Sequence, residues 1–122
     1  MSEWYGNEEI NPSKPEPELE YVETEAIISL PGEWDLYNAI DARNMIVEQI
    51  ANHEVRKVVV NLKDTEFIDS SVLTTFIVGL KAAEINGKNF VLRDPQKQIL
   101  EILKITGLAE KFDIEISEQQ DE

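Results

Sequence analysis

The chain has 122 residues, 25 acidic against 11 basic, with a formal net charge of −14 and no cysteine. That length suits one domain with a hydrophobic core rather than two, and the charge argues against nucleic acid or an anionic membrane surface as a direct partner. Disulfides and thiolate metal sites are excluded, and with no stretch like a signal peptide or spanning helix the sequence reads as cytoplasmic, without membrane insertion.

The acidity sits in the tails. Residues 1–20 hold six Glu and one Lys, and residues 113–122 hold five acids and no base. The opening MSEWYGNEEINPSKPEPELE contains three of the five prolines and few aliphatic residues. Such a composition buries too little surface to offset its ordering entropy, so residues 1–18 are expected to be a disordered acidic tail. Trp4 and Tyr5 interrupt it, either as an incidental exposed pair or as a short docking motif.

The domain is expected over 19–116. LEYVETEAIISL reads as two short strands joined near Glu23 to Glu25, and Pro31-Gly32 stops the second. DLYNAIDARNMIVEQIA follows with Leu36, Ile40, Val47 and Ile50, and with Ala39 and Ile46 beside them, as the apolar stripe of a helix capped by Asp35. KVVVNL is β-branched and apolar on both sides, as a central strand should be. After a polar turn around Lys63 to Glu66, the residues Val72, Leu73, Phe76, Ile77, Leu80 and Ala83 recur at helical spacing as far as Gly87, a C-terminal cap. NFVLRD is a further strand, Pro95 suits the first turn of a third helix through Ile99 and Leu103, and FDIEI closes the domain as an edge strand. Residues 117–122 form a polar acidic tail. The order ββαβαβαβ predicts an α/β fold, a mixed β-sheet with packed α-helices.

Little points to catalysis. His53, the only histidine, stands at the exit of the first helix, where a cation complements the helix dipole. There is no Gly-x-Ser-x-Gly elbow, no glycine-rich phosphate loop and no carboxylate–histidine set at metal-ligand spacing. Asp64, Glu66 and Asp69 lack the glycine and companion ligands of a calcium loop and read as a solvated acidic turn. The chain is expected to be neither an enzyme nor a holder of a metal or cofactor.

The informative stretch is FIDSSVLTTF. Asp69, Ser70 and Ser71 are good helix-start residues because their oxygens accept from the free N–H groups of the first turn. The same N–H groups and the helix dipole also stabilise a phosphate, so the cap reading and a modification reading are compatible.

Val58 to Ile114 resembles the STAS domain of the anti-sigma factor antagonist type. The resemblance rests on the Asp-Ser-Ser helix start, Gly87 before the next strand, the LRDPQ strand exit and Thr106-Gly107-Leu108, with ISLPGEWDLYNA upstream similar to the family's strand and helix entry. It covers roughly residues 19–116 and implies a STAS-type fold. It also implies a monomeric, phosphorylation-controlled binding module that sequesters an anti-sigma factor serine kinase and so releases a sigma factor, and that is reset by a metal-dependent serine phosphatase. ATP and metal would then belong to the partners. The second serine of the motif, Ser71, is the implied phosphoacceptor, and Asp69, Ser70, Ser71, Val72 and Thr74 form the implied partner face. One departure stands out: the residue after the serine pair, commonly glycine in the family, is Val72, which makes the turn stiffer and bulkier where a kinase approaches. The alternative is a non-switching STAS scaffold, stressosome-like or accessory to a transporter.

Overall fold

Five strands build the main sheet of the computed structural model, which describes residues 14–117. Strand β1 (Glu18–Val22) runs antiparallel to β2 (Glu25–Ser29), turning back through Glu23 at a positive φ of 56°. Two further short strands, β3 (Gly32–Trp34) and β5 (Thr65–Ile68), pair in parallel as a separate ribbon, while β2, β4 (Lys57–Asn61), β6 (Asn89–Arg93) and β7 (Asp113–Glu115) are mutually parallel in the order β1-β2-β4-β6-β7. The mixed sheet follows the sequence reading. The ribbon is an addition to it, because β3 and β5 fall where turn residues stand and exist only by pairing with each other.

Alternation along the strands divides the sheet into two faces. Ala26 and Ile28 of β2, Val58 and Val60 of β4, and Phe90 and Leu92 of β6 share one buried cluster with the helices. Helix α1 (Leu36–Ile50) contributes Ala39, Ala42, Ile46 and Ile50, and also buries Asn38 and Gln49. The expected stripe is therefore rotated: Leu36, Ile40 and Val47 are exposed. Two alanines on the inward side let α1 pack closely, and the two buried amides are satisfied. Asn38 donates to the Glu33 carbonyl at 3.1 Å, and Gln49 accepts from the Tyr21 hydroxyl at 2.8 Å.

Helix α2 (Ser70–Ile85) packs with Val72, Phe76 and Ala83 inward. At Gly79 it lies so close to β6 that a Cβ would stand 2.8 Å from the Phe90 ring and 3.0 Å from Ile46 Cγ2. The helix ends as the sequence predicts. Gly87 takes φ +69°, its N–H donates to the Glu84 carbonyl at 3.3 Å, and Lys88 N–H donates to Ala83 at 2.9 Å, the paired bonds of a Schellman cap. Helix α3 (Lys97–Ile105) buries Ile99 and Leu103. It starts at Lys97 with Gln96 as N-cap, so Pro95 precedes the helix instead of sitting in its first turn. A short 3-10 turn (Leu108–Glu110) leads into β7.

On the face away from this cluster, Lys57 and Arg93 share two carboxylates across four strands. Lys57 reaches Glu115 at 2.7 Å and Glu25 at 3.7 Å, and Arg93 reaches Glu115 at 3.0 Å and Glu25 at 3.6 Å. The register puts buried Val59 and Val91 in the same row, between the two cations. The Lys57 hydrogen bond, helped by Arg93, holds the Glu115 carboxyl below its usual range.

The domain edge lies upstream of the expected one. Glu18 is already in β1, and Lys14 and Pro15 lie against α1: Lys14 Nζ meets Asp35 at 2.7 Å, and the Pro15 carbonyl accepts from Asn38 at 3.4 Å. At the other end Ser117 is tied to Asp94 through its N–H and its hydroxyl, both at 2.7 Å. Residues 1–13, with Trp4 and Tyr5, and residues 118–122 lie outside the described residues. No helix among the described residues is long and apolar enough to cross a membrane.

Candidate functional site

The ribbon positions the site. Trp34 and Ile68 are register partners in β3 and β5, both are buried, and each is followed by an aspartate that caps a helix. Pairing the strands therefore sets the N-termini of α1 and α2 at the same end of the domain. Asp35 accepts from Tyr37 N–H at 2.9 Å, and Asn38 Oδ1 returns a bond to the Asp35 N–H at 2.8 Å, which completes a capping box. The bond from Lys14, followed by that from Tyr37 N–H, holds the Asp35 carboxyl below its usual range.

Asp69 is the more heavily used cap. Its Oδ1 accepts from Ser71 N–H at 2.9 Å, from Val72 N–H at 3.3 Å and from the Ser71 hydroxyl at 2.5 Å. One carboxylate oxygen thus satisfies two free N–H groups of the first turn and also orients Ser71 Oγ. Ser71 is half-buried at the second position of α2, and Ser70, one residue earlier, is exposed. Thr74 is exposed and donates to the Ser70 carbonyl at 3.0 Å; Thr75 is buried and donates to the Ser71 carbonyl at 3.0 Å. Both threonine hydroxyls bond back to the preceding turn, as helical threonines often do.

Val72 corrects the expected partner face. It is 0% exposed and part of the core cluster, so its side chain is withdrawn from any docking surface. The branched residue fills interior space directly beneath the cap. Asp69, Ser70, Ser71 and Thr74 remain together at the surface end of α2.

Beside them runs a groove of about 280 Å³, with Leu36, Ile40 and Arg43 of α1 on one wall and Ser71, Thr74 and Val78 of α2 on the other. Leu36, Tyr37 and Ile40 are 65%, 76% and 50% exposed. Sequence reasoning missed this surface because it assigned Leu36 and Ile40 to the core. The signal was available in the alternative stripe Ala39, Ala42, Ile46 and Ile50, which has helical spacing of its own.

Chemically the site offers a hydroxyl at a helix start, held by a carboxylate that also caps the helix. His53 follows the C-cap of α1, about 22 Å of helix from the Asp35 end. Asp64 and Glu66 are exposed, and among the described residues no three His, Asp or Glu side chains converge to hold an ion. The arrangement is suited to presenting Ser71 and an adjoining apolar groove to another macromolecule.

Comparison with known proteins follows the same lines. The STAS domain model matches residues 16–121. The chain is similar to the anti-sigma-B factor antagonist of Staphylococcus epidermidis, with 31% identity over 85 residues that cover 68% of this chain and 76% of that protein. Among solved structures it resembles an anti-sigma-factor antagonist (STAS) domain protein from Planctomyces limnophilus (TM-score 0.76, 18% identity, covering 87% of this chain and 94% of that one). It also resembles the Bacillus cell fate determinant SpoIIAA in its phosphorylated form (TM-score 0.69, 20% identity, 86% and 94% coverage). At these identities the structural likenesses establish the fold.

Proposed function

The chain belongs to the STAS domain family, and from that premise we propose that it is an anti-sigma factor antagonist whose binding is controlled by a phosphate on Ser71. The observation that carries the reading is the half-buried Ser71 hydroxyl, held by Asp69 at the rim of an apolar groove between two helix N-termini. With Ser71 unmodified, the exposed end of α2 and the groove form a largely neutral docking face for an anti-sigma factor that is itself a serine kinase. Sequestering that kinase releases the sigma factor.

A phosphate adds about −1.5 to −2 charge. It also converts the Ser71 hydroxyl from a donor to Asp69 into a cluster of acceptors, so the bond to Oδ1 is lost and two anionic groups face each other. Some of this charge is offset by the first-turn N–H groups and the dipole of α2, which lets the modified protein stay folded. A partner surface shaped for a neutral rim has no such offset, and burying the charge against it costs affinity. A differential of about 5.5 kcal/mol moves occupancy from 1:99 to 99:1. A metal-dependent serine phosphatase would restore the binding form, and the protein itself would act as a cytoplasmic binding module without catalysis of its own.

The test begins with capture of the kinase from native cell extract, using the full chain as bait, then ATP incubation, phosphopeptide mapping and affinity titration. Ser71→Ala is expected to bind and to resist phosphorylation, Ser71→Asp to fold but bind weakly, and Ser70→Ala to remain a substrate. Phosphate on Ser70, Thr74 or Thr75, or undiminished binding by Ser71→Asp, would overturn the assignment. A constitutive partner with no phosphate transfer would favour the non-switching scaffold.

A further inference from the structure

A second groove, between α2 and the 3-10 turn, has the make-up of a small-molecule site. It encloses about 400 Å³, a volume within the range of ligand pockets. Leu80 on its α2 wall is about two and a half helical turns from Ser71, so the two side chains leave the helix on opposite flanks. The two grooves share no lining residue. The floor is apolar. Ile77, Leu80 and Leu108 pack against the core while staying partly open to solvent, and Phe112 closes the bottom. The Phe112 ring is fixed from beneath by Phe76, edge-on at 6.5 Å, and by Phe90 at 6.2 Å. The opposite wall is held by the backbone of the turn, where Lys111 N–H donates to the Leu108 carbonyl at 2.9 Å.

Charge collects at the rim. Lys81 and Lys111 line the groove and are exposed, and neither they nor Glu84, the third charged lining residue, forms an ion pair among the described residues. In a chain with a net charge of −14, a groove whose rim carries two cations and one carboxylate stands against the general charge. A single exposed lysine is ordinary, but here two of them flank an apolar floor, the few polar groups over a hydrophobic lining that fix a ligand's orientation. The rim keeps one net positive charge, which suits one anionic head, while Glu84 disfavours a polyphosphate. Burial of an apolar body supplies most of the attraction. The lysines, being exposed, add modestly to affinity and select the head group.

We propose that this groove binds a small amphipathic monoanion, a carboxylate on an aliphatic or aryl body, with its head between Lys81 and Lys111 and its body over Leu80, Leu108 and Phe112. The site is independent of the function proposed above, because it uses neither Ser71 nor the α1 wall.

The test is a titration of the isotope-labelled full chain with octanoate, kept below its micelle-forming concentration and followed through the amide resonances. Saturable shifts are expected at Leu80, Lys81, Leu108 and Lys111, with Leu36, Ile40 and Ser71 unmoved. The double variant Lys81→Gln, Lys111→Gln, changed only at exposed positions, should keep the parent's melting temperature, bind octanoate several-fold more weakly and bind octanol as the parent does. Glu84→Gln, also at an exposed position, should bind octanoate several-fold more tightly. The absence of saturable shifts overturns the site, as do shifts centred on Leu36 and Ile40. Equal octanoate affinity in parent and double variant overturns the role of the lysines, and tighter binding of ATP than of octanoate at the same amides overturns the monoanion. If those amides shift when the unliganded chain is merely diluted, the occupant is a second copy and the proposal fails.

Discussion

Substituting Asp69 separates its two duties, capping and charge. Asp69→Ala removes the acceptor of Ser71 N–H, Val72 N–H and the Ser71 hydroxyl together. Loss of an N-cap costs about 0.5 to 2 kcal/mol, and loss of a carboxylate from a helix N-terminus about 0.3 to 1 kcal/mol. Asp69 is half-exposed, so water replaces part of what is lost, and the expected total is about 1 to 2 kcal/mol. For a domain of this size that lowers Tm by roughly 5 to 15 °C. Asp69→Asn keeps an oxygen in the same place and gives up only the charge, at an expected cost of about 0.5 kcal/mol. Thermal melts followed by circular dichroism, together with urea titrations at constant m, measure both. Equal destabilisation by Ala and Asn would mean that charge rather than hydrogen bonding makes Asp69 a cap. No destabilisation by Ala would refute the claim that this carboxylate organises the first turn of α2.

Gly79→Ala should destabilise by about 1 to 3 kcal/mol through overpacking, although alanine is the better helix former by about 1 kcal/mol. Phe90→Leu in the same chain should recover part of the loss, and additive losses in urea unfolding would show that the close approach at Phe90 is not the cause. Phe76→Ala should cost about 3 to 5 kcal/mol, because the ring is fully buried and meets Phe112 edge-on at 6.5 Å; a near-neutral denaturation midpoint would contradict that packing. For Glu115, whose folded-state pKa is lowered from 4.5 by Lys57 and Arg93, the stabilisation is present above the unfolded pKa and is lost as pH falls through the lowered folded value. Glu115→Gln should therefore flatten the acid limb of the stability–pH curve, and an unchanged limb would assign the acid sensitivity to other carboxylates.

The main sheet and the three helices were legible because each rests on a long periodic or β-branched run, such as KVVVN or the recurring apolar residues of α2. The ribbon was not, since Gly32–Trp34 and Thr65–Ile68 are short and polar in part and acquire strand character only from each other. The inward side of α1 was misjudged for a related reason. Hydrophobicity favoured Leu36 and Ile40, but close packing favoured Ala39 and Ala42, and buried hydrogen bonds admitted Asn38 and Gln49. At the site, Asp-Ser-Ser announced both its cap and the position of Ser71. The groove beside it stayed invisible as long as its walls were counted as core. Val72 erred the other way, because adjacency to Ser71 in sequence says nothing of the side on which a helical residue lies.

Under the phosphorylation of Ser71 proposed above, Gly79 has a consequence for how the signal would leave that residue. About 12 Å along the helix from that serine, α2 is pressed against the Phe90 ring with no room for one methyl group, and Ile46 closes the space from α1. A charge placed on the first turn therefore meets a helix packed closely at this point against β6 and α1. On that proposal, what would change is the electric potential outside the scaffold, and a reader would sense that potential at the rim. A message of this kind would be silent to probes of backbone shape and loud to ionic strength. Rim residues such as Ser70 and Thr74 are then free to vary with the reader, while the position of Gly79 is fixed by steric contact alone.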